Sequence, residues 1–144
     1  MNERIYRVLI LDTEPEMLLP IQQLLEEANV DATITWNEEE VHQLLGMSSF
    51  DLVLIGDHPP ELDAAAILQD LSFRGTCPPA LILRDVVLEK ERVHFRRIGA
   101  MEALPKGDLI AIIELVTKLV APIRFKPKAT KSEVMQNRSW QAAS

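Results

Sequence analysis

The sequence predicts an α/β protein built on a doubly wound, five-stranded parallel sheet with helices on both faces. Two observations carry this. Short apolar runs alternate along the chain with longer segments in which apolar residues recur at helical spacing. The inner runs are also continuously hydrophobic rather than alternating with polar residues, as strands buried on both faces require.

The first strand is Val8–Leu11, and the helix after it carries the stripe Met17, Ile21, Leu24, Leu25 and Ala28. Pro15 suits the first turn of that helix. Pro20 falls within the pattern, where it removes a backbone donor, so a late start or a kink is expected there. Ala32–Thr35 is the second strand, followed by a helix marked by Val41, Leu44 and Leu45. Leu52–Ile55 is the third, running into a loop at Gly56, with Ala64, Ile67, Leu68 and Leu71 on the next helix. Ala80–Leu83 precedes a less regular helix with Leu88, Val93, Phe95 and Ile98. The brief Ala103-Leu104 strand leads to a helix bearing Leu109, Ile112, Ile113, Val116 and Val120.

A chain of 144 residues with 47% hydrophobic and 26% charged residues suits one domain with its own core. The net charge of −7 argues against generic nucleic-acid binding, which draws on a basic face. The one cysteine, Cys77, allows no intramolecular disulfide and reads as a buried spacer before Pro78-Pro79. Only four apolar residues, Val8–Leu11, follow the polar start, too few for a signal-peptide core or a membrane span. A cytoplasmic protein is expected. The character changes after Ala121: residues 122–144 hold Arg124, Lys126, Lys128, Lys131 and Arg138 against the single acid Glu133. This division gives a body over 1–121 and a basic polar tail over 122–144, a solvated segment or a docking arm in which Trp140 would cover a surface.

The motifs at the strand ends resemble those of response-regulator receiver domains of two-component signalling. Phe50-Asp-Leu-Val-Leu-Ile-Gly-Asp-His-Pro-Pro-Glu-Leu-Asp63 resembles the third strand and loop of that family, roughly D-L-V-L-L-D-L-x-M-P-x-M-D-G. Val8-Leu-Ile-Leu-Asp-Thr-Glu14 is similar to V-L-I-V-D-D-E, Pro79-Ala-Leu-Ile-Leu-Arg-Asp85 to P-V-I-x-L-T-A, and Gly99-Ala-Met-Glu-Ala-Leu-Pro-Lys-Gly107 to G-A-x-D-Y-L-x-K-P. The resemblance spans about residues 5–121 and implies a flavodoxin-like fold with strand order 2-1-3-4-5. In that architecture the loops at the carboxyl ends of the strands converge on one crevice.

It also implies a degenerate phosphorylation pocket made by Asp12, Thr13, Glu14, Gly56, Asp57, Arg84 and Lys106. Gly56 falls where receivers carry the phosphate-accepting Asp, and a glycine has nothing to acylate. Thr13 replaces the second acid of the metal-binding pair. Asp12 and Glu14 then leave at most a weak residual magnesium site, and no cofactor is expected. The plainer account of these two acids is capping and favourable charge at the first helix's N-terminus. Arg84 replaces a hydroxyl residue, and its guanidinium needs a partner, for which Asp12, Glu14 and Asp57 are candidates; it is expected to reach into the vacant space and pair with Asp12, or else to turn to solvent with Asp85. Lys106 falls on the family's lysine and is expected to pair with Asp12. Ala103 falls on the aromatic switch position and leaves it without an aromatic ring. Gly107 replaces a proline that commonly follows a cis bond, so a different, looser backbone is expected there.

Asp57 lies one residue past Gly56, a step that turns a side chain to the other face of a strand. A local bulge would bring it back. His58 is expected to be an exposed loop histidine, while His42 and His94 offer no metal spacing in sequence. The implied function is phosphorylation-independent protein–protein interaction in a bacterial signalling pathway, without enzymatic activity. The surface of the fourth helix, fifth strand and fifth helix is the expected dock for a partner or a second copy. Lys90, Arg92, Arg96 and Arg97 would give that helix a basic edge. Two alternatives stand beside this reading: a working phosphorelay receiver that uses Asp57, and a regulator that binds nucleic acid through the basic tail. Membrane association is not expected.

Overall fold

The computed structural model describes residues 5–120. The basic tail therefore lies outside the described residues. Five strands alternate with five helices: β1 (Tyr6–Leu11), α1 (Pro15–Glu27), β2 (Val30–Thr35), α2 (Glu38–Met47), β3 (Leu52–Gly56), α3 (Ala64–Arg74), β4 (Ala80–Arg84), α4 (Glu89–Arg97), β5 (Glu102–Pro105) and α5 (Leu109–Val120). All neighbouring strands are parallel, in the order β2-β1-β3-β4-β5.

Alternation along each strand divides the apolar residues between two cores. Val8, Ile10, Leu52, Leu54, Leu81 and Leu83 meet α1 and α5 on one face. Leu9, Leu11, Val53, Ile55 and Ile82 meet α2, α3 and α4 on the other. Strands flanked in this way are buried end to end, which is why they read as unbroken apolar runs. The β1 and β2 ladders also extend two residues upstream of the apolar runs, because Tyr6 and Arg7 pair with Val30 and Asp31.

Helix α1 begins at Pro15, so the late start expected from Pro20 does not occur. Pro20 is solvent-exposed, while Leu18, Ile21 and Leu25 are completely buried and hold the helix on the sheet around it. Helix α3 is capped by Asp63, whose carboxylate accepts from the Ala66 N–H, and ends at Gly75 in the left-handed region (φ 72°).

Helix α4 is fixed to β5 by the Arg92 guanidinium. It grips Glu102 through two bonds, Nε–Oε1 3.1 Å and Nη2–Oε2 2.9 Å, and also reaches Glu89 at 2.9 Å. Arg96 lies 3.9 Å from the same Glu102, so the basic edge of α4 is partly neutralised within the fold. The Arg92 bond holds the Glu102 carboxyl below its ordinary value of 4.5. A carboxyl depressed on folding stabilises the native state above its unfolded value, and that stabilisation fades as the pH falls. Glu102→Gln should therefore cost about 0.5 kcal/mol at neutral pH, since the pair is partly exposed. In thermal melts the gap from wild type should close as the pH drops well below 4.5; a gap unchanged in acid would assign the loss to packing instead.

Candidate functional site: a self-neutralised acidic pocket

The register brings the carboxyl ends of β1, β3, β4 and β5 level, with Leu11 opposite Ile55, Gly56 opposite Leu83, and Arg84 opposite Pro105. The residues just beyond those ends form the pocket. Asp12 follows β1, and its backbone N–H still continues the sheet by donating to the Thr35 carbonyl at 3.1 Å. Its side chain is fully buried. One carboxylate oxygen, Oδ1, accepts from the backbone N–H groups of Thr13 (2.6 Å) and Glu14 (3.2 Å). The loop after β1 thus wraps around its own acid. Thr13 and Glu14 are exposed, and Glu14 makes no side-chain capping bond at the start of α1.

Two cationic or protonatable groups close on Asp12. Lys106, just past β5, places Nζ 2.8 Å from Asp12 Oδ2, and its side chain is only 3% exposed. His58 places Nε2 2.9 Å from Asp12 Oδ1 and 3.5 Å from Glu14 Oε1, and it also contacts the Lys106 ammonium. The expectation of an exposed loop histidine is corrected here. Reciprocal backbone bonds between His58 and Leu62 (2.8 and 2.9 Å) fold the loop back so that the ring faces inward. Period-two alternation was the available signal: the step that turns residue 57 away from the pocket returns residue 58 to it.

Gly56 faces the same pocket. A Cβ built at Gly56 would lie 2.3 Å from Asp12 Oδ2 and 2.5 Å from its Cγ. The Asp12 carboxylate therefore occupies the space that any side chain at position 56 would need.

Asp57 joins a separate cluster. Its Oδ1 accepts from the Ala64 N–H at the start of α3 (3.0 Å), a favourable place for negative charge, and its Oδ2 lies 2.9 Å from Arg84 Nε. Arg84 also meets Glu91 at 2.5 Å, and Glu91 in turn accepts from the Leu88 N–H at the start of α4. The expected Arg84–Asp12 pair is thus not formed. Lys106 already neutralises Asp12, while the buried Asp57 carboxylate needs a cation of its own. Contact with Glu91 raises the Arg84 guanidinium above its ordinary value and lowers Glu91. A cleft of about 430 Å³ opens beside this second cluster, between His58, Pro59, Arg84 and Leu88.

Ala103 is buried beside Phe95 and Ala100. Among the described residues the one cis peptide bond is Pro59–Pro60, so none accompanies Lys106-Gly107. Cys77 is half-buried, its thiol raised by desolvation.

Magnesium, which the family resemblance implies, requires near-octahedral oxygen coordination. Here the third donor beside Asp12 and Glu14 is an imidazole nitrogen, and an ammonium already sits against Asp12. These residues do not fit that ion.

No family model and no curated protein matches the chain. Solved structures do. A Francisella response-regulator receiver domain superposes with a TM-score of 0.67 at 21% identity, covering 78% of this chain and 97% of its own. An orphan response regulator of H. pylori gives 0.69 at 20% identity, with 80% and 96% covered. An atypical orphan response regulator, described as revealing a new phosphorylation-independent regulatory mechanism, gives 0.66 at 21% identity, with 83% and 96% covered. Among the described residues no helix is long and apolar enough to cross a membrane. In strand order and in the alternation of five strands with five helices, the chain has the fold of a response-regulator receiver domain.

Proposed function

We propose that this protein is a pseudo-receiver, a non-enzymatic cytoplasmic component of a bacterial two-component pathway that signals by protein–protein contact without phosphorylation. One observation carries the reading. The Asp12 carboxylate fills the space left by the absent side chain at Gly56, Lys106 neutralises it from within the fold, and the His58 ring closes on it. Where a phosphoryl group would have to be held, the protein presents a closed ion cluster. The phosphorylation-independent mechanism described for one structural neighbour supports the same view. The contact surface in this reading is α4, β5 and α5, on or next to which Lys90, Arg97, Met101 and Ile110 are each exposed.

Asp57 supports a second reading, a working phosphorelay receiver, because among the carboxylates lining the cleft it is the one that directly follows β3. Against it, Asp57 is only 8% exposed and held by Ala64 and Arg84. Intact-mass measurement after incubation with acetyl phosphate and magnesium separates the two. The mass is expected to stay unchanged. A phosphate-sized gain abolished by Asp57→Asn would replace the pseudo-receiver with a working one.

A further inference from the structure

The chain contains three histidines, His42, His58 and His94, and two of them stand among carboxylates. In the His58 cluster an ammonium already stands within the ligand space, 2.8 Å from Asp12 and 3.9 Å from Glu14. The His42 cluster is built differently. His42 lies on α2 one turn after Glu38, and Asp70 reaches over from α3. Its Nε2 is 3.2 Å from Asp70 Oδ2 and 3.9 Å from Glu38 Oε2, with one donor atom from each residue within 4.8 Å of the others. We infer that Glu38, His42 and Asp70 form a binding site for a divalent transition-metal ion of the zinc class, which ties α2 to α3.

The geometry is close to what such an ion needs. Zinc bonds to nitrogen and oxygen run about 2.0–2.2 Å, which sets tetrahedral donors roughly 3.3–3.6 Å apart. The His42–Asp70 spacing is within about 0.1 Å of that range, and Glu38, 3.9 Å from His42 and within 4.8 Å of Asp70, has to close on them. Donor chemistry selects the class: one imidazole nitrogen with two carboxylates, leaving a fourth position for water, suits zinc and its neighbours, whereas magnesium and calcium take oxygen.

Charge points the same way. With a neutral imidazole the cluster holds two acids against one cation. The cation recorded against it among the described residues is Arg74, which stands outside on Asp70 (3.2 and 3.3 Å), where an outer partner orients a ligating carboxylate. The sole fully buried residue on α2 is Val41, so a metal bridge would add to a lightly anchored helix.

Zinc chloride titrated into the full chain, followed by calorimetry, tests this. One equivalent should bind saturably and raise the melting temperature. Affinity should fall by about tenfold or more in both His42→Gln and Asp70→Asn, and stay unchanged in His58→Gln. His42 and Asp70 are part-exposed, so both variants should melt cooperatively without zinc. No saturable binding by the wild-type chain overturns the proposal, as does binding that survives His42→Gln or is lost in His58→Gln.

Discussion

Replacing Lys106 with methionine is expected to cost about 3 kcal/mol of folding stability, the penalty of leaving one member of a buried ion pair alone. Its partner, Asp12, has no exposed side-chain surface, and Lys106 has almost none. The remaining contacts on Asp12, from Thr13, Glu14 and His58, soften the loss but do not supply a permanent charge. Asp12→Ala should be comparably costly, because it strands the ammonium instead. The double variant Asp12→Asn with Lys106→Met should recover much of the loss, since replacing both partners removes the unpaired charge. Urea denaturation of the four proteins measures this. A loss below about 1 kcal/mol for Lys106→Met would mean that the pair is screened like a surface bridge, and the closed pocket would have to be abandoned.

The second large effect is at Gly56. The smallest side chain, in Gly56→Ala, places a carbon where the Asp12 carboxylate now stands. The backbone there is not in the left-handed region, so any cost comes from contact alone. The carboxylate cannot yield freely, because two backbone N–H groups, His58 and Lys106 hold it. Overpacking of this kind typically costs about 1–3 kcal/mol. The sharper test is a double-mutant cycle. Once Asp12 is shortened to alanine, the added methyl group has room, so the two losses should fall short of their sum by about 1 kcal/mol or more. Strict additivity would show that position 56 does not face Asp12. For the same reason Gly56→Asp alone should not create a phosphate acceptor, because the new carboxylate lands on the old one.

Much of the fold was legible because its elements are local. Continuous runs such as Leu52–Ile55 announce a strand buried on both faces, and stripes such as Ile67, Leu68 and Leu71 announce a helix. The exceptions are equally local in origin. Pro20 weighed against an early helix start, yet the buried face of α1 outweighs one lost backbone bond. The strand-end motifs name the site residues and one partnership, Lys106 with Asp12, which the structure forms. Of the candidate partners Asp12, Glu14 and Asp57, Arg84 takes Asp57, because Lys106 already holds Asp12 and the fold of the loop, which the motifs do not announce, turns His58 in beside it. The Glu38–His42 spacing was readable as one helical turn, but Asp70 joins them only because α3 packs on the same sheet face.

Sequence by itself determined the alternation of strands and helices, the two-sided sheet and the absence of a side chain at position 56, because these depend on residue type and short-range periodicity. Beyond the Lys106–Asp12 pair that the family resemblance implies, tertiary structure decided which charges meet. Asp12 with His58, Asp57 with Arg84, and His42 with Asp70 are all separated by more than two dozen residues. Ion pairing acts over a few ångströms of space, and only the folded sheet brings those side chains that close.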